Sequence, residues 1–257
     1  MSISEGDLDG RSTAPWVKAA GSRLKARPLR ALGAVFGAIA DLFLPPVCIV
    51  CLTRIESHGL LCGTCWARID FIAPPICARL GIPLPYDTGA TAAGEPALSA
   101  AAIAEPPVYD RGRAAARYSS TMRDLIQRFK YRDRHAGLPL FARWLAAADA
   151  ELLVDAALIV PVPLYRLRLW SRRFNQSAML AHALAAITGH KVDCFPLQRV
   201  KRTASQVGLM ATQRRRNGAG AFKVANSRAK GVRGKRIVVI DDVITTGAMA
   251  DAADMVL

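Results

Sequence analysis

The sequence predicts an α/β protein, a parallel sheet with helices on both faces, preceded by a small cysteine-rich module. Three observations predict it. Two short apolar runs, Ala157-Leu-Ile-Val160 and Ile237-Val-Val-Ile240, have the length and aliphatic content of strands buried on both sides. Segments with apolar residues at helical spacing alternate with them, the order expected of a parallel sheet. Four of the six cysteines form two close pairs, Cys48-Ile-Val-Cys51 and Cys62-Gly-Thr-Cys65, ahead of that pattern.

Taken in order, residues 1 to about 28 are polar and basic and read as an arm. Leu29 to Leu44 is dense enough in apolar residues for a short helix, stopped by Pro45-Pro46. The expected organisation is therefore 1–41 for arm and helix, 42–85 for the cysteine module, 86–107 for a loose connection rich in Ala, Gly and Pro, and 108–257 for the α/β domain. No internal repeat is evident beyond the two Cys pairs. Tyr109 to Tyr118 reads as an edge strand or hairpin. Met122, Leu125, Ile126 and Phe129 form one face of a helix, with Arg123, Arg128 and Lys130 on the other. A second helix is expected from about Leu138 to Leu152. A third is expected from Gln176 to Ile187, with Met179, Leu180, Ala183, Leu184 and Ile187 on one side.

With 52% hydrophobic and 21% charged residues in 257, the chain is excluded from disordered, collagen-like and coiled-coil classes. It has no run of about 20 apolar residues, so no membrane span is expected. Glu5, Asp7 and Asp9 stand where a secretory signal carries basic residues, which points to the cytoplasm. The net charge of +15 favours an anionic ligand, nucleic acid or an acidic surface. Arg199 to Arg236 holds 12 basic residues and no acidic one. Within it, Arg214 to Arg216 reads either as a solvated helical face or as a track for a phosphodiester backbone.

In a reducing compartment structural disulfides do not persist. Two Cys-x-x-Cys knuckles ten residues apart then suit tetrahedral Zn²⁺, and Cys48, Cys51, Cys62 and Cys65 are the expected ligands of a structural zinc. Buried thiols or a redox pair account less well for two knuckles so close. His58 falls inside the loop but is surplus to a four-thiolate shell. Cys77 and Cys194 read as buried small hydrophobes.

The chemistry concentrates in Ile237-Val-Val-Ile-Asp-Asp-Val-Ile-Thr-Thr-Gly-Ala248. An apolar strand ends in two acids, then a loop with two hydroxyls and a glycine opens onto a helix. Ligands of open α/β sheets sit beyond the carboxyl ends of the strands. Unpaired N–H groups of such a loop suit a phosphate. Adjacent carboxylates repel a bare phosphate but suit sugar hydroxyls, with Mg²⁺ neutralising a neighbouring pyrophosphate. A ligand combining a ribose diol with a phosphate is expected.

This segment resembles the phosphoribosyl pyrophosphate (PRPP) signature of type I phosphoribosyltransferases. By that resemblance Asp241 and Asp242 are catalytic residues that contact the ribose hydroxyls. Val243, Ile244, Thr245, Thr246, Gly247 and Ala248 wrap the 5-phosphate. Further motifs narrow the family: Val160-Pro-Val-Pro-Leu164 followed by Arg166, Arg168 and Arg172-Arg-Phe-Asn-Gln176; Phe129-Lys-Tyr131; Arg199-x3-Thr203-x2-Gln206-x2-Leu209; and Arg214-x2-Asn217-x4-Phe222. Together with the Cys pairs they resemble the ComF family of competence proteins, over roughly Leu42 to Leu257. The resemblance implies a type I phosphoribosyltransferase-like domain beside an N-terminal zinc ribbon, with Arg173, Asn175 and Gln176 joining the PRPP site. It implies two candidate functions: Mg²⁺-dependent phosphoribosyl transfer with release of pyrophosphate, or a non-catalytic role in DNA uptake with single-stranded DNA and a competence helicase as partners.

The chain departs from that pattern in three places. Arg173 stands where relatives carry Gly. Leu80 stands where relatives often carry a cysteine, three positions after the one matching Cys77. The chain ends at Leu257 inside the helix after the PRPP loop, so the expected fold lacks its last C-terminal elements.

Overall fold

The computed structural model describes residues 45–85, 95–131, 135–201, 213, 218–244 and 247–257. The expected arm and first helix, Thr245 and Thr246, and most of the two motifs between Thr203 and Asn217 lie outside the described residues.

The cysteine module begins with a turn closed by an antiparallel bridge between Val47 and Arg54, followed by helix α1 (Gly63–Trp66). A second turn is closed by Ile76 and Pro83, and helix α2 (Ala100–Ala104) follows within the stretch read from composition as a connection. Beyond it come α3 (Ser120–Tyr131), α4 (Leu138–Ala148), α5 (Ala150–Leu153), β1 (Leu158–Pro161), α6 (Arg166–Arg172) and α7 (Gln176–Thr188). The chain continues through β2 (Leu197–Arg199), β3 (Phe222–Val224), α8 (Ala229–Val232), β4 (Ile237–Ile240) and α9 (Ala248–Asp254). Tyr109 to Tyr118 contributes a single bridge, Ala116 to Phe71, rather than a strand of its own.

The two apolar runs pair as expected. β1 lies parallel to β4 with Leu158 opposite Ile237 and Pro161 opposite Ile240. Ile159 also forms a parallel bridge to Val192, and β2 pairs antiparallel with β3. Because successive strand side chains point to opposite faces, the β1–β4 pair feeds two cores. Ile159, Val238 and Ile240 pack with Phe129, Leu153, Leu180, Ala181 and Leu184. Val160, with Ile237 and Val239 at its margin, packs with Leu197, Phe222 and Ala253. Burial on both sides is why these strands show no polar alternation. Helix α7 is fixed at both ends. The Asn175 side chain accepts the Ser177 N–H at 3.1 Å, and Gly189 closes the C-terminus at φ +77°.

Helix α3 buries the expected face, but its residues serve two cores. Phe129 joins the sheet, whereas Met122, Leu125 and Ile126 join Ile49, Ile69, Leu140 and Trp144 and so bind the cysteine module to the helices. The seam is aromatic. Phe71 lies 5.2 Å from both Trp66 and Trp144, and Phe141 lies 5.5 Å from Trp144 at 85°. Backbone bonds reinforce it, from Ile72 N–H to the Ala115 carbonyl (3.1 Å) and from Arg117 N–H to the Asp70 carbonyl (2.8 Å). At Gly59, φ +74°, a Cβ would run into the Ala136 carbonyl, so the module and the turn before α4 touch backbone to backbone.

The single helix expected over 138–152 breaks at Asp149, whose φ of −99° and ψ of 9° leave the helical region. The Asp149 carbonyl accepts the Leu152 and Leu153 N–H groups at 2.8 and 3.0 Å, which starts α5 afresh. Its side chain is buried. Burial pushes the carboxyl up from 3.8 to about 7, against the opposing pull of Arg113. A carboxyl raised on folding favours the native state while protonated, so its contribution is complete below pH 4 and is lost as pH rises through about 7. Asp149→Asn is therefore expected to melt close to the native chain at pH 4 and above it at pH 8, with the gap opening between those values in a melting series.

Candidate functional site

Asp241 and Asp242 occupy the carboxyl end of β4, next to the tip of β1. The Ile240 carbonyl accepts the Val162 N–H at 2.9 Å, so the two strand ends are tied just before they diverge. Asp241 Oδ1 accepts the Ser177 hydroxyl at 3.0 Å and the Asp242 N–H at 2.9 Å. These bonds hold the carboxylate at the first turn of α7. Both acids are half-buried and line a cavity of about 120 Å³, room for several waters. Val243 and Ile244 continue that lining, and its far wall is apolar: Met122, Phe141, Trp144 and Leu180. The buried Trp144 Nε1–H has no partner among the described residues. Gly247 adopts φ +74° and is the N-cap of α9, and a Cβ there would stand 3.0 Å from the Tyr109 hydroxyl. Ala248 begins α9; Thr245 and Thr246 fall outside the described residues.

The other expected residues sit around the β1 tip. Asn175 caps α7 and donates Nδ2–H to the Val162 carbonyl at 3.1 Å, pinning the Pro-Val-Pro loop. Gln176 is 2% exposed, so it belongs to the core that fixes this loop. Arg173 is exposed at the C-cap of α6, where its N–H reaches the Leu169 carbonyl at 2.8 Å with φ +64°. No motif or spacing singles out Ser177 or Arg113. Ser177 stands 64 residues from the acid it holds. The Arg113 side chain is 7% exposed, lines the cavity and bonds the Ala78 carbonyl at 2.8 Å.

The second centre is the cysteine cluster. The Sγ atoms of Cys48, Cys51, Cys62 and Cys65 all lie within 4.8 Å of one another, and Cys51 and Cys62 are 3.5 Å apart. Zn–S bonds of about 2.3 Å in a tetrahedron set sulfurs roughly 3.8 Å apart, so the four thiols fit a closed structural zinc site. The hydrogen bond with the Thr53 hydroxyl chiefly lowers the Cys51 thiol, to about 6. Burial pushes the Cys65 thiol up to about 12, beside its three neighbours. Four thiols so close cannot all ionise without a cation. His58 is exposed outside this shell, as expected. Cys77 is fully buried, but Cys194 is only partly so, its Sγ 3.6 Å from His182 Nε2, which corrects its reading as a buried hydrophobe.

Residues 39–96 match the double zinc ribbon domain. The chain is 33% identical over 208 residues to Competence protein F of Haemophilus influenzae, covering 78% of this chain and 86% of that protein. It is 31% identical over 232 residues to DNA utilization protein YhgH of Salmonella typhi, covering 84% and 92%. The chain belongs to the ComF family. Competence protein ComFC of Bacillus subtilis is a more distant relative, 25% identical over 198 residues and 77% of each chain. No solved structure matches. Among the described residues no helix is long and apolar enough to cross a membrane.

Arg173 holds a left-handed backbone at φ +64°, a conformation that costs a side-chain-bearing residue about 1–2 kcal/mol. Glycine escapes that cost but loses more entropy on folding. Arg173→Gly is expected to raise stability by roughly 0.5–1 kcal/mol, read as a higher urea midpoint. A lower midpoint would show that the arginine side chain holds the turn.

Proposed function

We propose that this ComF-family protein serves DNA utilization or uptake, and that its α/β domain (108–257) binds PRPP at the tip of β4. The observation that carries the reading is the pair Asp241 and Asp242 at the carboxyl end of a buried parallel strand. Asp241 is oriented by Ser177, and both acids face a cavity. In this reading the acids accept hydrogen bonds from the ribose hydroxyls, and Val243 to Ala248 enclose the 5-phosphate. Arg173 supplies exposed positive charge, while Asn175 and Gln176 set the β1 loop that faces the pyrophosphate. In this reading Mg²⁺ would come bound to the pyrophosphate, beside the acids. With a nitrogen nucleophile at the sugar, a C–N bond forms at C1 as the C1–O bond breaks, and pyrophosphate leaves with the electron pair. The protein's part is positioning and charge stabilisation. The names of the relatives support the DNA role.

Calorimetry with PRPP and Mg²⁺ tests the site. Asp241→Ala/Asp242→Ala is expected to weaken PRPP binding at least tenfold, since each hydrogen bond to a charged group is worth about 1.5–3 kcal/mol. Equal affinity in the double variant removes the assignment.

A second reading, an accessory single-stranded-DNA factor without catalysis, rests on a different observation. Trp170 is 87% exposed on α6, with Leu167 and Leu169 also exposed and Arg166 and Arg173 beside them. An exposed indole among arginines suits base stacking beside a phosphate track, worth about 1–3 kcal/mol per base. Trp170→Ala is expected to weaken oligonucleotide binding roughly 5- to 100-fold, and rising salt to weaken it steeply. Absence of oligonucleotide binding by the native chain at low salt removes this reading.

A further inference from the structure

The two turns of the cysteine module are the same turn. Pro46-Val-Cys48-Ile-Val-Cys51-Leu-Thr-Arg-Ile55 and Pro75-Ile-Cys77-Ala-Arg-Leu80-Gly-Ile-Pro-Leu84 share every backbone bond. Cys48 N–H bonds the Thr53 carbonyl at 2.8 Å, and Cys77 N–H bonds that of Ile82 at 2.8 Å. Leu52 N–H returns to the Cys48 carbonyl at 3.0 Å, and Gly81 N–H to that of Cys77 at 2.9 Å. Ile55 N–H reaches the Pro46 carbonyl, and Leu84 N–H that of Pro75. The bridges Val47–Arg54 and Ile76–Pro83 occupy the same positions, and so do the left-handed residues Leu52 (φ +65°) and Gly81 (φ +66°).

The match extends to the second half of each ribbon. Ile49 N–H bonds the Leu60 carbonyl, and Ala78 N–H that of Ala97. Two residues after each acceptor a helix begins, with Cys62 as N-cap of α1 and Ser99 as N-cap of α2. Cys48, Cys51, Cys62 and Cys65 therefore correspond to Cys77, Leu80, Ser99 and Ala102.

We propose that residues 75–85 and 95–104 form a second ribbon that has exchanged its metal for an apolar plug, so that this double ribbon holds one zinc. At the four ligand positions stand one thiol, one hydroxyl and two hydrocarbon side chains. That set cannot supply the four N, S or carboxylate ligands of a closed structural site. The space is filled instead: Cys77, Leu84, Ala97 and Ala102 form a buried cluster, with Leu80 packed against it. Cys77 Sγ keeps the hydrogen bonds that would support a metal-bound thiolate, from Leu80 N–H (3.4 Å) and Ser99 N–H (3.3 Å), and adds the Ser99 hydroxyl at 3.4 Å. Ser99 also accepts the Ala102 N–H at 3.2 Å, doing the N-cap work that its counterpart Cys62 does not. The first ribbon depends on its cation, whereas the second depends on packing.

Zinc content of the full-length chain tests this. The native protein and Cys77→Ala are each expected to hold one zinc per chain, and Leu80→Cys/Ser99→Cys/Ala102→Cys two. Two zincs in the native protein, or a loss of zinc in Cys77→Ala, overturns the proposal. So does a triple variant that folds, by circular dichroism, yet stays at one. Should the triple variant fail to fold, the native and Cys77→Ala stoichiometries decide alone.

Discussion

Trp144 stands where the zinc ribbon, the helical layer and the candidate ligand cavity meet. Its ring takes Phe71 and Phe141 edge-on, with Trp66 5.8 Å away, and it lines the same cavity as Asp241 and Asp242. Aromatic pairs in such geometry add about 0.5–1.5 kcal/mol each beyond the area they bury. Trp66 follows directly on Cys65, and its backbone N–H bonds the Cys62 carbonyl, so the metal knuckle sets where that residue lies. Val243, the residue after the acids, packs against the same cluster. The ribbon is thus not a separate bead on the chain. Its knuckle sets one wall of the aromatic seam, and the seam forms one wall of the cavity, so ribbon and strand tip are joined by packing.

The parts legible in the sequence are those whose physics is local. A strand buried on both faces must be a continuous apolar run, and β4 keeps the boundaries read from that rule. Two knuckles at close spacing bring four thiols together because each tight turn presents a pair. The acids follow from their place at a strand end. Long-range arrangements were silent. Nothing near Ser177 announces its bond to Asp241, and Arg113 lies in a stretch read as an edge strand or hairpin, a pattern that does not mark it as a cavity residue. The break at Asp149 was hidden because the apolar spacing continues through it, while the burial of its carboxyl is a matter of tertiary surroundings.

The repeat of the ribbon shows the same limit from the other side. Composition read 86–107 as a connection and found no repeat beyond the Cys pairs. The duplicated element is a set of backbone hydrogen bonds, and backbone bonds leave little trace in side-chain identity. Its diagnostic residues were the metal ligands, and three of the four corresponding positions carry none. What survived is what the turn needs without a metal: a residue at φ near +65°, proline before the cysteine, and apolar flanks.

Electrostatics separates the two functional readings more sharply than the fold does. Each ligand is a polyanion, and each would meet arginines near the β1 tip. The acids treat them differently. Under the proposed reading, a ribose diol would donate hydrogen bonds to Asp241 and Asp242, and a cation carried by the pyrophosphate would neutralise them, so PRPP would gain from both carboxylates. A phosphodiester backbone offers no such donors in DNA, which lacks the 2′-hydroxyl, and is repelled by the same pair. A DNA track would therefore run along α6, on the Trp170 side, and leave the tip of β4 free. The two sites need not compete. The loop that Asn175 pins to Val162 leads from the β1 tip into α6.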